Sequence, residues 1–169
     1  MRYWISVLVA AAVVLSSRAN AQIDVYVGLN VGVTEYDFTE ENATAVSFKG
    51  GLYFSPYVGI EADFINLGEL NNYLQRDDLG VRGFNLAARA VLPVEQLEFY
   101  AKAGVFFWQS YVPDGYYEPI VIESGQNASL GAGVTYLLGR HLALNAEWQR
   151  FDLDTTYAQS LMVGVRFEF

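Results

Sequence analysis

Residues 161–169 read Leu-Met-Val-Gly-Val-Arg-Phe-Glu-Phe, with an apolar side chain at every second position. A period of two puts alternate side chains on opposite faces of a strand, so this segment presents one apolar and one mixed polar face. A shift of one residue would exchange the two faces, so such a pattern fixes register as well as element type.

The alternation recurs eight times, over residues 24–37, 45–55, 58–64, 81–92, 97–111, 126–138, 141–151 and 161–169. The first stretch sets Val25, Val27, Leu29, Val31 and Val33 against Tyr26, Gly28, Asn30, Gly32 and Thr34. The fourth sets Phe84, Leu86, Ala88, Ala90 and Leu92 against Asn85, Ala87 and Arg89. Tight turns are expected at 55–57, 93–96 and 139–141, and longer loops at 38–44, 68–80, 112–124 and 152–156. An even number of strands, with short turns at one end and longer loops at the other, is the pattern of an outer-membrane barrel.

The choice between a soluble and a membrane barrel rests on which face meets lipid. The polar face holds Gly, Asn, Ser, Thr and few charges, which suits a narrow interior better than a solvated surface. The apolar face continues for about 9–11 residues per strand, the length a tilted strand needs to cross hydrocarbon. We therefore expect an all-β fold, an eight-stranded antiparallel up-and-down transmembrane β-barrel, rather than a lipocalin-like soluble barrel.

Ahead of the strands, residues 1–21 place Arg2 before an apolar run and close on Ala19-Asn20-Ala21. This is the pattern of a secretory signal removed after Ala21, and its apolar run is too short to span a bilayer. The expected division is signal peptide 1–21 and barrel 22–169, with export through the Sec pathway. Loss of Arg2 and Arg18 takes the net charge from -9 to -11, which argues against nucleic acid as a partner. With no cysteine, stability without disulfides is required and thiol chemistry is absent. Asn42-Ala43-Thr44 and Asn127-Ala128-Ser129 fit the glycosylation pattern, and in a bacterial export context are read as chance.

The segments "VYVGLNVG", "SPYVGIEADFINLG", "FNLAARAVLPV", "LEFYAKAGVFFW" and "GAGVTYLLGRHLALNAEWQ" follow in order along the chain. Together they resemble the transmembrane domain of outer membrane protein A and its small relatives, over nearly all of residues 22–169. The resemblance implies an eight-stranded barrel in the outer membrane of a Gram-negative bacterium, here without the peptidoglycan-binding domain of the larger members. It also implies a charged network within the barrel, with Glu61, Arg89, Lys102 and Glu147 at the matching positions. Where the family has a gating glutamate and arginine, this chain has Thr135 and Asn145, so a gate of that kind is not expected. The apolar positions Val163, Val165, Phe167 and Phe169 resemble the signal by which the barrel assembly machinery recognises its substrates.

Parity assigns Lys49, Arg89, Lys102 and Arg166 to the interior with Glu61, Asp63 and Glu147, four bases against three acids. Charges in so narrow a space must pair, because an unpaired one costs several kcal/mol. An eight-stranded barrel is just wide enough for its own side chains, so these residues are expected to form a plug rather than a gated ion path. Tyr26, Tyr53 and Tyr100 fill the same space, with Gly28, Gly104 and Gly131 making room. Breaking the network, as in Glu61→Ala, is expected to destabilise the barrel and raises the prospect of a leak.

Outside, Arg82 and Arg150 point to lipid near the loop ends, where contact with lipopolysaccharide phosphates competes with simple snorkelling. The loops carry Asp37, Glu40, Glu41, Glu69, Asp77, Asp78, Asp114, Glu118, Glu123, Asp152 and Asp154, with Arg76 as their base. They read as a solvated rim, and residues 112–124, the apolar and aromatic loop, as the contact surface. The single histidine, His141, falls in a turn at the end away from the outer leaflet, with no serine at the rim to pair with it. No catalytic group, cofactor or metal motif is assigned. The expected function is an integral, monomeric outer-membrane barrel of mainly structural role, whose partners are outer-membrane lipids, lipopolysaccharide and the assembly machinery. The alternatives are a narrow pore of the porin family and, further off, a lipid A-modifying enzyme.

Overall fold

The structure, a computed structural model, describes residues 24–38, 42–70, 79–112 and 120–169. Residues 1–21, and with them the signal-peptide assignment, lie outside these. Eight strands run in order: β1 (Asp24–Tyr36), β2 (Asn42–Ser55), β3 (Val58–Leu70), β4 (Leu79–Val94), β5 (Leu97–Val112), β6 (Ile120–Leu137), β7 (Leu142–Leu153) and β8 (Thr156–Glu168). Each pairs antiparallel with the next, and β1 pairs with β8, so the sheet closes on itself. Every strand thus has a neighbour on both sides, the condition for a sheet in hydrocarbon, and only the loop end of β6, before Ser129, runs on past β7.

The alternation sets the two faces. Facing residues in successive strands form an outer band: Leu144, Val165, Leu29, Phe48, Phe64, Phe84 and Phe107 are partners in turn from β7 through β8 and β1 to β5. Phe48 and Leu161 are each 59% exposed on that surface, whereas Glu61, Asp63 and Gln149 inside are fully buried. An apolar outside and a polar inside invert the soluble arrangement, as lipid requires. The turn at Glu95–Gln96 places Glu95 at φ 55°, a left-handed conformation that closes the β4–β5 hairpin. Gly68 takes φ +89° at the bulge between Asn66 and Glu69, where β3 shifts register against β4.

The strands run further into the loops than expected, with β2 starting at Asn42, β3 continuing to Leu70 and β4 starting at Leu79, and two other loop ends differ more. β6 starts at Ile120 instead of 126, so part of the expected third loop, including Val121 to Ser124, is paired with β5. The segment Ile120-Val121-Ile122 is β-branched and apolar, a strand composition in a stretch read as loop because of its acids. The connection expected over 152–156 is a tight hairpin: Leu153 faces Thr156, with Asp154 at φ 34° in the turn. Asp tolerates the left-handed region because its short polar side chain can bond locally. Glu40, Glu41, Arg76, Asp77, Asp78, Asp114 and Glu118 lie outside the described residues.

Candidate functional site: the barrel lumen

The strands deliver three layers of side chains into the lumen. In the middle layer β2 supplies Lys49, β3 supplies Glu61 and Asp63, β4 supplies Arg89, β5 supplies Lys102 and β7 supplies Glu147. All six are buried, none more than 4% exposed. Glu61 is the centre of convergence. Its Oε2 accepts from Arg89 Nη1 at 2.7 Å and its Oε1 from Lys102 Nζ at 2.5 Å, and the Tyr26 hydroxyl also donates to it. Lys102 Nζ further reaches Asp63 at 3.0 Å and Glu147 at 3.1 Å.

Lys49 bonds Glu147 at 2.8 Å and stands 3.7 and 3.8 Å from Glu61 and Asp63. Lys49, Arg89 and Lys102 thus converge on Glu61, and Lys49 and Lys102 join β2, β3 and β5 to β7 on the far wall. Glu147 also accepts from the Tyr100 hydroxyl at 2.7 Å and from Gln149. Thr135 accepts a long bond of 3.5 Å from Arg89 Nη2, and Asn145 lies beside Asn30, so neither forms an ion pair. Three carboxylates bound to three cations leave no free ligand set. Among the described residues no group of His, Asp or Glu is placed to hold a metal ion.

The layer at the turn end is aromatic and cationic. Arg89 lies over Tyr100 at 3.6 Å from the ring centre, and Arg166 over Tyr26 at 5.0 Å. Both distances are within cation–π range. Arg166 donates to Tyr53 at 2.9 Å, pairs with Glu98 at 2.6 Å and also contacts Glu168. Glu98 and Glu168 were not assigned to the interior from sequence, and they turn the count of four bases against three acids into four against five. Both share the inward parity of their strands, Glu98 with Tyr100 and Lys102 and Glu168 with Arg166, and both lie next to the turns.

The glycines are assigned differently too. A Cβ on Gly51 would stand 2.2 Å from the Tyr26 ring, and one on Gly133 2.5 Å from the Tyr100 hydroxyl. These two, not Gly28 and Gly131, make room for the tyrosines; Gly28 and Gly131 lie under the stems of Lys49 and Lys102. A Cβ on Gly104 would meet the β4 backbone at Leu86 and Ala87.

The third layer, at the loop end, is an apolar cap that the sequence analysis missed. Tyr36, Ile65, Leu67, Leu70, Val81, Phe106, Trp108, Phe151 and Leu153 are buried together inside the strands. Phe106 on β5 and Phe151 on β7 meet with ring centres 4.5 Å apart. Part of the signal was present: in "VFFW" both faces turn apolar or aromatic, whereas in "RFDL" alternation persists but the inward positions, Phe151 and Leu153, are apolar while Arg150 and Asp152 face out.

On the outside, Val163, Val165, Phe167 and Phe169 share one exposed face, and Phe169 donates its backbone N–H to Val25 O at 3.0 Å on β1. Arg82 and Arg150 lie near the loop end of β4 and β7. His141 stacks on Phe167 at the turn end, with Nδ1 2.9 Å from Glu168 O, far from the loop rim.

The outer membrane protein beta-barrel domain matches residues 6–169. The chain belongs to that family. It is an integral protein of the bacterial outer membrane, an eight-stranded barrel of the same class as the domain of outer membrane protein A. Solved structures share the fold at low identity. Neisserial surface protein A superposes with a TM-score of 0.71 at 13% identity, covering 87% of this chain and 97% of that one. The attachment invasion locus protein of Yersinia pestis, solved with the heparin analogue sucrose octasulfate, gives 0.60 at 15%, with 87% and 97% covered. OprG of Pseudomonas aeruginosa gives 0.61 at 11%, with 88% and 96% covered. No curated protein sequence matches the chain.

Proposed function

We propose that this protein is a non-conducting structural barrel of the outer membrane that makes surface contacts through its loops. The observation behind this reading is that Lys49 and Lys102 each bridge acids on opposite walls, Glu61 and Asp63 on β3 and Glu147 on β7. A solute path through the middle layer would have to break several of these pairs at once. Residual catalysis has no support in the site: its acids are engaged by cations, and His141 sits at the turn end. The chain acts as a monomer exported by the Sec pathway. Its β8 face of Val163, Val165, Phe167 and Phe169 is read by the assembly machinery, and of the two outward arginines Arg82 meets lipopolysaccharide while Arg150 is held by Asp152.

A narrow pore is the second reading. Asp63 Oδ1, Arg89 Nε, Gln149 Oε1 and Arg166 Nε are buried with no hydrogen-bond partner among the described residues, and a file of water would satisfy them. Planar-bilayer recording of the purified protein separates the two. The structural reading expects no resolved steps; a large, stable single-channel conductance would replace it with the pore.

A further inference from the structure

The two outward arginines are not equivalent. Arg150 is already engaged: its Nε bonds Asp152 Oδ1 at 3.1 Å and its guanidinium lies 4.1 Å from the Tyr157 ring centre. Arg82 lies over the Tyr111 ring at 4.9 Å and has no carboxylate partner among the described residues. The nearby acid, Glu69, has an oxygen taken by the Tyr111 hydroxyl at 3.1 Å.

Arg82 also stands at a groove of about 580 Å3 in the outer wall across β3 to β6, within the size range of small-molecule sites. Register divides the groove into two rows. Phe64, Phe84, Phe107 and Gln126 face one another in the lower row, and Arg82, Gln109 and Ser124 in the row above. On β4 the lower row is the last of the apolar belt, which runs outward from Leu92 to Phe84. Those nine residues, at about 3.3 Å each and tilted, cover roughly 20–25 Å. The groove therefore straddles the edge of the hydrocarbon, with aromatic rings below and a cation and two neutral polar groups above.

We propose that this groove binds one phosphate-bearing lipid of the outer leaflet, the lipid A part of lipopolysaccharide. An acyl chain lies along Phe64, Phe84 and Phe107, and a phosphate rests against Arg82 with Gln109 and Ser124 as donors. Charge complementarity selects the occupant. The chain carries a net charge of -9 and its rim is acidic, so an anionic lipid is repelled elsewhere and held at a cation that has no carboxylate partner among the described residues. Arg150, neutralised by Asp152, is not part of the site. The proposal depends on the loop end facing the outer leaflet, as in the reading above. Its test is independent of conductance, so either can fail alone.

The test is native mass spectrometry of the full-length protein, folded in detergent with added bisphosphorylated lipid A, dephosphorylated lipid A as the second ligand, and folding verified by heat-modifiable mobility. Wild type should retain one lipid A, and Arg82→Ala should lower retention about fivefold. Arg150→Ala should match wild type, and dephosphorylated lipid A should be retained no better than by Arg82→Ala. Ser124→Trp, which fills the groove while leaving Arg82 in place, should also expel the lipid and decides the matter if Arg82→Ala does not fold. Equal retention by wild type and Ser124→Trp, equal losses in Arg82→Ala and Arg150→Ala, or indifference to the phosphates would overturn the site.

Discussion

Glu61 offers two carboxylate oxygens, and Arg89, Lys102 and Tyr26 converge on them from β4, β5 and β1. Asp63, one inward position further along β3, holds Lys102 at 3.0 Å and a distant Asn85, while its Oδ1 has no hydrogen bond. Removing Glu61 leaves Arg89 without a carboxylate partner among the described residues, whereas removing Asp63 leaves Lys102 with Glu61 and Glu147. Glu61→Ala should therefore cost about 3–5 kcal/mol where the lumen is dry, and Asp63→Ala clearly less. Urea unfolding in detergent or bilayers measures both, and an equal loss would mean that the network has no centre. Gly51 makes a second residue-scale case. Valine there would drive its side chain into the Tyr26 ring, 2.2 Å from an ideal Cβ, and displace the Tyr26 hydroxyl from Glu61 and Arg89. Overpacking of this kind costs about 1–3 kcal/mol. If Gly51→Val unfolds at the wild-type urea midpoint, Tyr26 is not held as tightly as the contact implies.

At the scale of the strand, β8 combines two roles that one substitution can separate. Val163, Val165, Phe167 and Phe169 form its lipid face, and β8 closes the barrel against β1 from Tyr26–Glu168 to Tyr36–Ala158. Phe169 lies at the turn end, near an interface, where a charge on the lipid face costs only about 0–1 kcal/mol. Phe169→Asp should thus fold in detergent almost as well as wild type, yet accumulate as periplasmic aggregate or degraded protein in cells if the assembly machinery reads that face. Normal heat-modifiable protein in the outer membrane of the mutant would remove the recognition role. Strands such as β1 and β8 were legible in the sequence because a barrel wall between lipid and a polar lumen enforces alternation at every position. Legibility ended where that contrast ended. Val121 and Ile122 of β6 sit among acids beyond the belt, and the 152–156 segment became a two-residue hairpin because Asp154 accepts a left-handed backbone. Parity placed Lys49, Glu61, Arg89, Lys102 and Glu147 inside. It could not reveal which acid each cation meets across the lumen, because that depends on the tilt and diameter of the closed sheet.

For the whole molecule, the order of the layers along the axis matters more than any one of them. Charged groups fill the middle, arginines and tyrosines the turn end, and the apolar cap of Phe106, Phe151, Ile65, Leu67 and Trp108 the loop end. Middle and cap obstruct ions by different physics: the first by occupying the lumen with paired charges, the second by offering an ion no partner in exchange for its water. Two unlike barriers in series must both be opened before current flows. Glu61→Ala loosens only the middle, so despite its loss of stability it should remain silent in planar bilayers. Phe106→Ala with Phe151→Ala removes rings packed at 4.5 Å and widens only the cap, so it too should stay closed. The triple variant alone should conduct, in small steps, because only it opens both barriers. Single-channel recording at several salt concentrations reads all three. Frequent steps from Glu61→Ala alone would show that the cap is no barrier, and a silent triple variant that is still folded would place the obstruction in the layer of Arg166, Tyr26 and Tyr53.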